Sequence, residues 1–150
     1  MKFILTLFIF ISFLSCSKST PIPPKKIFPS THMSPKDLKH INFHNQELIS
    51  ITIKNKFYYV RKDGKIIETV EYDGQADEFS DGLARTKING KIGFFNSNLE
   101  IVLKPIYDFA FPFHNGVSEI CMGCKDEGEE SLLNGGKWKK INREGLVVEE

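Results

Sequence analysis

The sequence predicts an all-β fold in which about three tandem repeats, each a β-hairpin followed by a third short strand, pack into one small domain. Three observations support this prediction: a repeat of 35 residues, an Asn-Gly hairpin signal within the repeat, and apolar runs rich in β-branched and aromatic residues without a helical period. One such unit buries too little apolar surface to fold alone, so each copy needs its neighbours.

The repeat is seen when the chain is aligned with itself. A shift of 35 residues places aromatic on aromatic and apolar on apolar, and a shift of 46 carries the pattern into the C-terminal part. The third copy therefore contains an insertion of about eleven residues. The matched pairs include Tyr59 with Phe94, Tyr72 with Tyr107, and Phe95 with Ile141. The copies cover about residues 43–71, 72–106 and 107–150.

Asn89 and Gly90 lie between two strand-like runs and indicate a hairpin turn. A two-residue turn would place Arg85 opposite Phe94 and so mix a charge with apolar groups on one face. A three-residue loop at 88–90 would place Ala84 opposite Phe94 instead. Because strand register follows the apolar pattern, we predict the three-residue loop.

The middle copy resembles a known family. The run FSDGLARTKINGKIGFF at residues 79–95, then IVLKP and IYDFAFPF at 101–113, is similar to the repeat of the WG-repeat (KWG) proteins. That repeat reads approximately F-S-E-G-L-A-x-V-x-x-N-G-K-W-G-F-I-D, a turn, and V-I-P-x-Y-D. The resemblance covers about residues 43–150. It implies a β-rich repeat fold and a frequent envelope or secreted location, and it brings no catalytic residues.

The dipeptide that names this family is altered in every copy. Ile92 replaces the Trp of the middle copy, and Lys139 replaces the Gly that should follow Trp138 in the last copy. The first copy has Phe57 and Tyr58 at these positions.

The first 15 residues have the form of a signal peptide of the lipoprotein type. Lys2 precedes an apolar run at residues 3–14, which is too short for a permanent membrane span. Phe13, Leu14, Ser15 and Cys16 resemble a bacterial lipobox, which predicts cleavage before Cys16 and its lipidation. An ordinary secretory peptide and an uncleaved anchor are the alternatives.

Cleavage also fixes the charge of the mature chain. Without residues 1–15 the chain has 19 basic and 19 acidic side chains, because Lys2 is the one charged residue removed. A net charge of zero gives no basic stripe for nucleic acid, so no nucleic-acid partner is expected. We expect the membrane to be bound through the lipid anchor.

Residues 16–35 are predicted to form a tether rich in Pro, Ser and Lys, followed by the repeat domain at 36–150. Five of the seven prolines lie here, and this composition favours extended chain over a packed core. An N-terminal strand is the alternative, since Ile27 and Phe28 are apolar. Ser34 before Pro35 predicts the start of a short helix.

Four aromatic residues follow the middle copy, at 107, 109, 111 and 113. We predict that they pack in the seam between copies two and three, because Tyr72 and Phe79 hold the corresponding places at the preceding seam. An exposed recognition patch is the alternative.

Cys121 and Cys124 form the candidate disulfide of an oxidising compartment. A redox pair normally opens a helix, whereas this pair follows a strand, and free thiols are a further alternative. Zinc would need two more ligands; His114 is near in sequence, but no second ligand pair exists, so no metal is predicted. We predict that the acidic run after Cys124 is a solvated hairpin tip, and that Asp73 and Asp108 each cap their own turn. No catalytic residue and no cofactor is predicted, because the sequence has no nucleophile motif or phosphate-binding loop.

The sequence therefore predicts a non-enzymatic protein of the bacterial cell envelope, lipid-anchored at Cys16 and facing the periplasm or the surface. Its repeat domain is expected to bind an unknown envelope or host protein, or to serve a structural role. The alternative is a small redox or metal-binding envelope protein that uses Cys121 and Cys124.

Overall fold

The structure, a computed structural model, describes residues 31–125 and 134–148. The predicted signal peptide, the predicted lipidation site Cys16 and most of the predicted tether lie outside the described residues, as does most of the acidic run after Cys124. Within the described part, no helix has the length and apolar character needed to cross a membrane.

The described part of the chain contains twelve β-strands and one short helix, α1 (Pro35–Leu38). The strands are β1 (Thr31–His32), β2 (Leu48–Ile53), β3 (Lys56–Arg61), β4 (Lys65–Glu68), β5 (Glu71–Tyr72), β6 (Gln75–Ala76), β7 (Leu83–Ile88), β8 (Lys91–Asn96), β9 (Ile101–Tyr107), β10 (Phe109–Ala110), β11 (Val117–Lys125) and β12 (Asn134–Asn142). The predicted all-β fold is confirmed.

Each predicted copy contributes one small antiparallel sheet. The strand orders are β1-β4-β3-β2 in the first sheet, β7-β8-β9 in the second and β10-β11-β12 in the third, and β5 pairs with β6. One cross-strand pair recurs at the equivalent place in every copy, and its first residue is buried each time. These pairs are Val60 with Ile66, Phe95 with Ile101, and Ile141 with Val147. The three copies therefore share one local architecture.

The chain before the first hairpin is attached to the first sheet. Strand β1, which lies within the predicted tether, pairs with the start of β4. The Ser34 side chain then accepts a hydrogen bond from the Asp37 N–H at 3.1 Å, with Pro35 at the start of the helix. The predicted helix start is confirmed.

The central hairpin, β7–β8, has a different register from the predicted one. Asn89 and Gly90 have φ values of 51° and 77°, the left-handed pair that a two-residue type I′ turn requires. Arg85 therefore lies opposite Phe94, where the prediction placed Ala84. The predicted three-residue loop is wrong, because the prediction assumed that a charged Arg85 would not share a face with Phe94.

Arg85 is stable on that face because Asp77 neutralises it. The guanidinium donates to the two Asp77 carboxylate oxygens at 2.5 and 3.1 Å, and the Arg85 backbone N–H donates at 2.8 Å. The Arg85 side chain is only 5% exposed, and the Asp77 side chain only 2%. The guanidinium also donates to the Ala110 carbonyl at 2.9 Å and lies 5.5 Å from the centre of the Tyr72 ring. The pair thus joins the second copy to the third.

Both faces of the central hairpin are buried. On one face its apolar side chains pack with the third copy, and on the other they pack with the first copy. The first core contains Leu83, Ile92, Phe94, Leu103, Tyr107, Ala110, Phe113, Ile120 and Ile141. The second contains Ala84, Phe95 and Leu99, with Leu48, Tyr59, Ile67, Phe79 and Ile101 packed against it. The β7–β8 hairpin is therefore a wall shared by two cores.

Gly93 lets β9 approach this wall closely. A Cβ atom there would lie 2.6 Å from the Pro105 nitrogen and 2.7 Å from the Leu103 carbonyl oxygen, distances that no side chain tolerates. The register between β8 and β9 shifts between Ile92 and Phe94, where Gly93 lies, and again between Phe94 and Phe95, as at a β-bulge. Tyr58 and Lys139 hold the equivalent positions in the other copies, so this close approach is particular to the second sheet.

Replacing Phe94 with Ala should lower the free energy of unfolding by about 3–5 kcal/mol. The ring is fully buried, and its centre lies 4.8 Å from that of Phe113 across the seam between copies two and three. Val102→Ala is the control, since Val102 is 43% exposed and its loss should cost about 0.5 kcal/mol or less. Urea denaturation measures both variants, and equal midpoints would contradict the proposed packing.

Asp77→Ala should cost about 3–5 kcal/mol, because it leaves the buried Arg85 guanidinium without its counter-charge. The double variant Asp77→Leu with Arg85→Met should be more stable than Asp77→Ala, since it removes both charges and keeps apolar volume. Chemical denaturation of the two variants tests this order. A double variant that is less stable than Asp77→Ala would show that the fold requires the ion pair itself.

Candidate functional site

The third sheet presents three aromatic side chains on its outer face. Phe109 lies opposite Cys121, and Cys121 lies opposite Trp138, so these residues share one face of the sheet. The Phe111 N–H donates to the Glu119 carbonyl at 2.9 Å, which places Phe111 in the next row of the same face. The other face supplies Ala110, Ile120 and Ile141 to the core.

The three rings contact one another and remain partly in solvent. Their centres are 5.0 Å apart for Phe109 and Phe111, 5.9 Å for Phe109 and Trp138, and 6.0 Å for Phe111 and Trp138. Phe111 is 46% exposed and Trp138 is 42% exposed. We call Phe109, Phe111 and Trp138 the aromatic face. Because its rings restrain each other, little side-chain entropy remains to be lost when a partner binds.

The prediction for the aromatic run is correct for only part of it. Tyr107 and Phe113 lie in the core between copies two and three, as predicted. Phe109 and Phe111 are predicted for the same seam, and that prediction is wrong, because the chain bends at Asp108, between β9 and β10, so that Phe109 does not continue the face of Tyr107. The small Ala110 between them faces the core, which directs its two large neighbours outward. The small Ala110 between two large aromatic residues is the sequence signal for an outward-facing pair, whereas the bend at Asp108 that separates this pair from Tyr107 is visible only in the structure.

Cys121 and Cys124 are bonded through their sulfur atoms in the structure, and their Cα atoms lie 6.0 Å apart, within the usual range for a disulfide. Cys121 is fully buried beneath the aromatic face, and Cys124 is 9% exposed. An extended strand would hold residues three apart much farther from each other, so β11 is bent at this place.

Gly136 on the neighbouring strand allows the sulfur atoms to lie where they do. A Cβ atom at Gly136 would be 2.5 Å from the Cys121 Sγ and 2.6 Å from the Cys124 Sγ. The φ of Gly136 is +75° and that of Gly135 is +73°, a left-handed backbone that favours glycine at both positions. A Cβ atom at Gly135 would have no neighbour within 4 Å.

Asp108 ties this bend to the second sheet. Its carboxylate accepts hydrogen bonds from the Lys91 ammonium group of β8 and from the Gly123 N–H of β11. The Lys91 hydrogen bond, with the Gly123 N–H, lowers the pKa of Asp108 from its ordinary value. The prediction that Asp108 caps its own turn is therefore wrong, because the carboxylate binds two distant elements instead.

Within residues 31–125 and 134–148, no three side chains of the metal-binding types His, Cys, Asp and Glu come together. His114, the ligand that sequence placed nearest to Cys121, is exposed in the turn before β11, and its backbone pairs with Val117.

Two of the grooves beside the sheets border residues named above. One, of about 370 Å³, lies beside the aromatic face and is lined by Trp138, Val147 and Glu119, among others. The other, of about 790 Å³, lies between the first and second sheets. The Glu68 carboxylate in this second groove binds Lys56 at 2.8 Å and accepts from the Tyr58 hydroxyl at 3.4 Å. Burial raises the pKa of Tyr58, and the negative charge of Glu68 adds to the effect.

Two consecutive stretches, residues 59–91 and 92–125, match the model of a family described as WG containing repeat. Each match begins inside the second strand of one hairpin and runs into the hairpin of the next copy. The resemblance to WG-repeat proteins is thus confirmed, with a frame displaced from the predicted copies. Comparisons with curated proteins and with solved structures found no match.

Gly135→Ala and Gly136→Ala form a matched pair that tests the packing around the sulfur atoms. Each should cost about 1–2 kcal/mol through its left-handed backbone, and Gly136→Ala should cost more because its Cβ meets both sulfurs. The additional loss of unfolding free energy in Gly136→Ala should become smaller when Cys121 and Cys124 are both replaced by Ala. Urea denaturation of the variants without reductant measures this, and equal losses at the two glycines would contradict the geometry.

Proposed function

Because the chain carries two consecutive WG repeats, we propose that it is a non-enzymatic binding module of the bacterial cell envelope, held at a membrane by acyl chains on Cys16. Its partner is another envelope or host protein, and not nucleic acid. The net charge of zero after removal of residues 1–15 supports a protein partner, because nucleic acid attracts a basic surface.

The aromatic face is the observation that carries this proposal. Aromatic side chains that remain in solvent and are already fixed in position are typical anchors of protein interfaces. The groove of about 370 Å³ beside Trp138 extends the face to Val147, which is itself 53% exposed. Together they form an apolar surface with a polar rim that includes Glu119 and Lys140.

The alternative, a redox or metal-binding protein that uses Cys121 and Cys124, is less well supported. Thiol exchange requires that an attacking thiolate reach a sulfur atom. Cys121 is fully buried. Cys124 is 9% exposed, and its Sγ lies 3.4 Å from the Gly135 carbonyl oxygen. This environment favours a structural bond that holds β11 in its bent form beneath the aromatic face.

A binding experiment with matched variants tests the role of the aromatic face. The acylated full chain is used to capture proteins from membranes of its own source, with Phe111→Ser and Trp138→Ser combined in one variant. The control combines Val102→Ser and Ile106→Ser on β9, which are 43% and 49% exposed and lose comparable apolar surface. A partner captured by the wild type and the control, but at least about tenfold less by the aromatic variant, supports the proposal. Equal loss in both variants, or capture that neither variant changes, would contradict it.

A second experiment tests the membrane anchor. Cys16→Ala should prevent incorporation of a palmitate analogue and move the protein from the membrane fraction to the soluble fraction, because the acyl chains supply the membrane affinity. Cys124→Ala is the control thiol variant and should stay with the membrane. A wild-type chain found in the soluble fraction with Cys16 intact would overturn the anchor.

A further inference from the structure

Trp138 of the aromatic face has, in the third hairpin, the position that Ile92 has in the second. The shift of 46 residues places one on the other. The strand register agrees, since Ile92 lies opposite Lys87 of β7 and Trp138 lies opposite Cys121 of β11. Ile92 is buried in the core that the second copy forms with the third. Trp138 therefore marks the surface of the third copy where a following copy would pack.

Phe111 corresponds to Val70 in the same way. The Val70 N–H donates to the Arg85 carbonyl at 3.1 Å, and the Phe111 N–H donates to the Glu119 carbonyl at 2.9 Å. Arg85 and Glu119 are equivalent, because each is the third residue of the first strand of its hairpin. Val70 packs against the core between the second and third copies. Two members of the aromatic face thus hold the places of residues that contact the next copy.

The two seams within the protein have the same construction. The ring of Tyr59 in the first copy meets that of Phe79 with centres 4.9 Å apart, and the ring of Phe94 in the second copy meets that of Phe113 at 4.8 Å. Both pairs are edge-on, at 61° and 66°. Phe79 and Phe113 each precede the first strand of their own hairpin by four residues. Each copy therefore receives the next one in the same orientation, and the aromatic face lies where a third seam would form.

The opposite end of this series is covered by the chain's own N-terminal segment. In the second copy, Leu99 packs in the core shared with the preceding copy. Gly64 holds that position in the first copy, and a Cβ atom there would lie 3.6 Å from the Leu38 Cδ2 of α1. The Met33 N–H donates to the Gly64 carbonyl at 2.9 Å. A second molecule of this chain would have to displace this segment in order to stack its first copy on the aromatic face.

Glu119 gives the aromatic face a different polar requirement from that of the internal seam. At the internal seam, the equivalent Arg85 donates to the Ala110 carbonyl of the next copy at 2.9 Å. A carboxylate can only accept, so Glu119 would repel a backbone carbonyl at this place. The surface therefore fits a repeat that brings a basic side chain to Glu119.

We propose that the aromatic face docks a WG-type repeat of another polypeptide, which stacks on the third copy as the third stacks on the second. Trp138 and Phe111 take the places of Ile92 and Val70 in this seam, and a basic side chain of the partner binds Glu119. The internal seams supply the geometry, and the covered N-terminal end favours another polypeptide over a second molecule of this chain. This inference names the partner class of the binding module and so rests on the proposed function.

Photo-crosslinking in membranes of the protein's own source tests the identity of the partner. Benzoylphenylalanine replaces Phe111 in the acylated full chain, and it replaces Val102, which is 43% exposed outside the aromatic face, in the control chain. Mass spectrometry should identify a WG-type repeat of another protein in the peptides cross-linked at position 111. The yield should be at least about tenfold higher than at position 102.

The other outcomes of this experiment are distinct. Cross-links to a protein without such repeats would overturn the stacking and leave the binding module intact. Cross-links to a second molecule of this chain would assign the aromatic face to self-association and would overturn the stacking as well. If position 111 gives no more cross-linked protein than position 102, both the stacking and the proposed binding face are contradicted.

Charge reversal tests the contact at Glu119. Glu119→Lys should reduce capture of the cross-linked partner at least about tenfold, because it sets two basic groups against each other. Glu71→Lys is the matched control, a charge reversal at an exposed residue of β5, and should leave capture unchanged. Both substitutions are at exposed side chains, so both variants should keep the urea midpoint of the wild type. Equal capture by the two variants would overturn the basic contact.

Discussion

Burial of both faces of the β7–β8 hairpin is the constraint on which the rest of the structure depends. A small antiparallel sheet normally has one face in water, and three short strands alone are only marginally stable. Here Phe94 faces the third copy and its neighbour Phe95 faces the first copy, and both are fully buried. The outer copies each complete a core on this wall, so each obtains apolar burial that it lacks by itself.

Two-sided burial also explains why a charged pair lies inside so small a protein. A side chain on either face of the hairpin lies next to a core, and Arg85 lies on the face that packs on the third copy. Its bonds to Asp77 and to the Ala110 carbonyl satisfy the guanidinium and fix the seam at the same time. A buried ion pair of this kind adds little net stability to a fold. Its role here is to determine which surfaces of the second and third copies pack together. The outer face of the third sheet has no further copy to cover it within the described residues, and this is where the aromatic face lies.

Much of the fold could be predicted from sequence because the repeat carries strong local signals. The Asn89-Gly90 turn, the N-cap at Ser34 and the matched apolar positions each depend on a few neighbouring residues. The hairpin register could not be predicted, because it depends on Asp77, which neutralises Arg85 from outside the hairpin. Sequence indicated Cys121 and Cys124 as a pair, but Gly136 shows its role only when β11 and β12 are placed side by side.

Native-state hydrogen exchange tests the shared wall most directly. If the β7–β8 hairpin joins two cores, the slowest amides of β3, β8 and β11 should exchange with the same free energy of opening. One substitution at Phe94 should then lower this free energy in all three strands. The contrary result is exchange in which the amides of β3 keep their full protection while those of β8 and β11 lose theirs. That result would show that the first copy folds without the wall, and that the three copies are separate units.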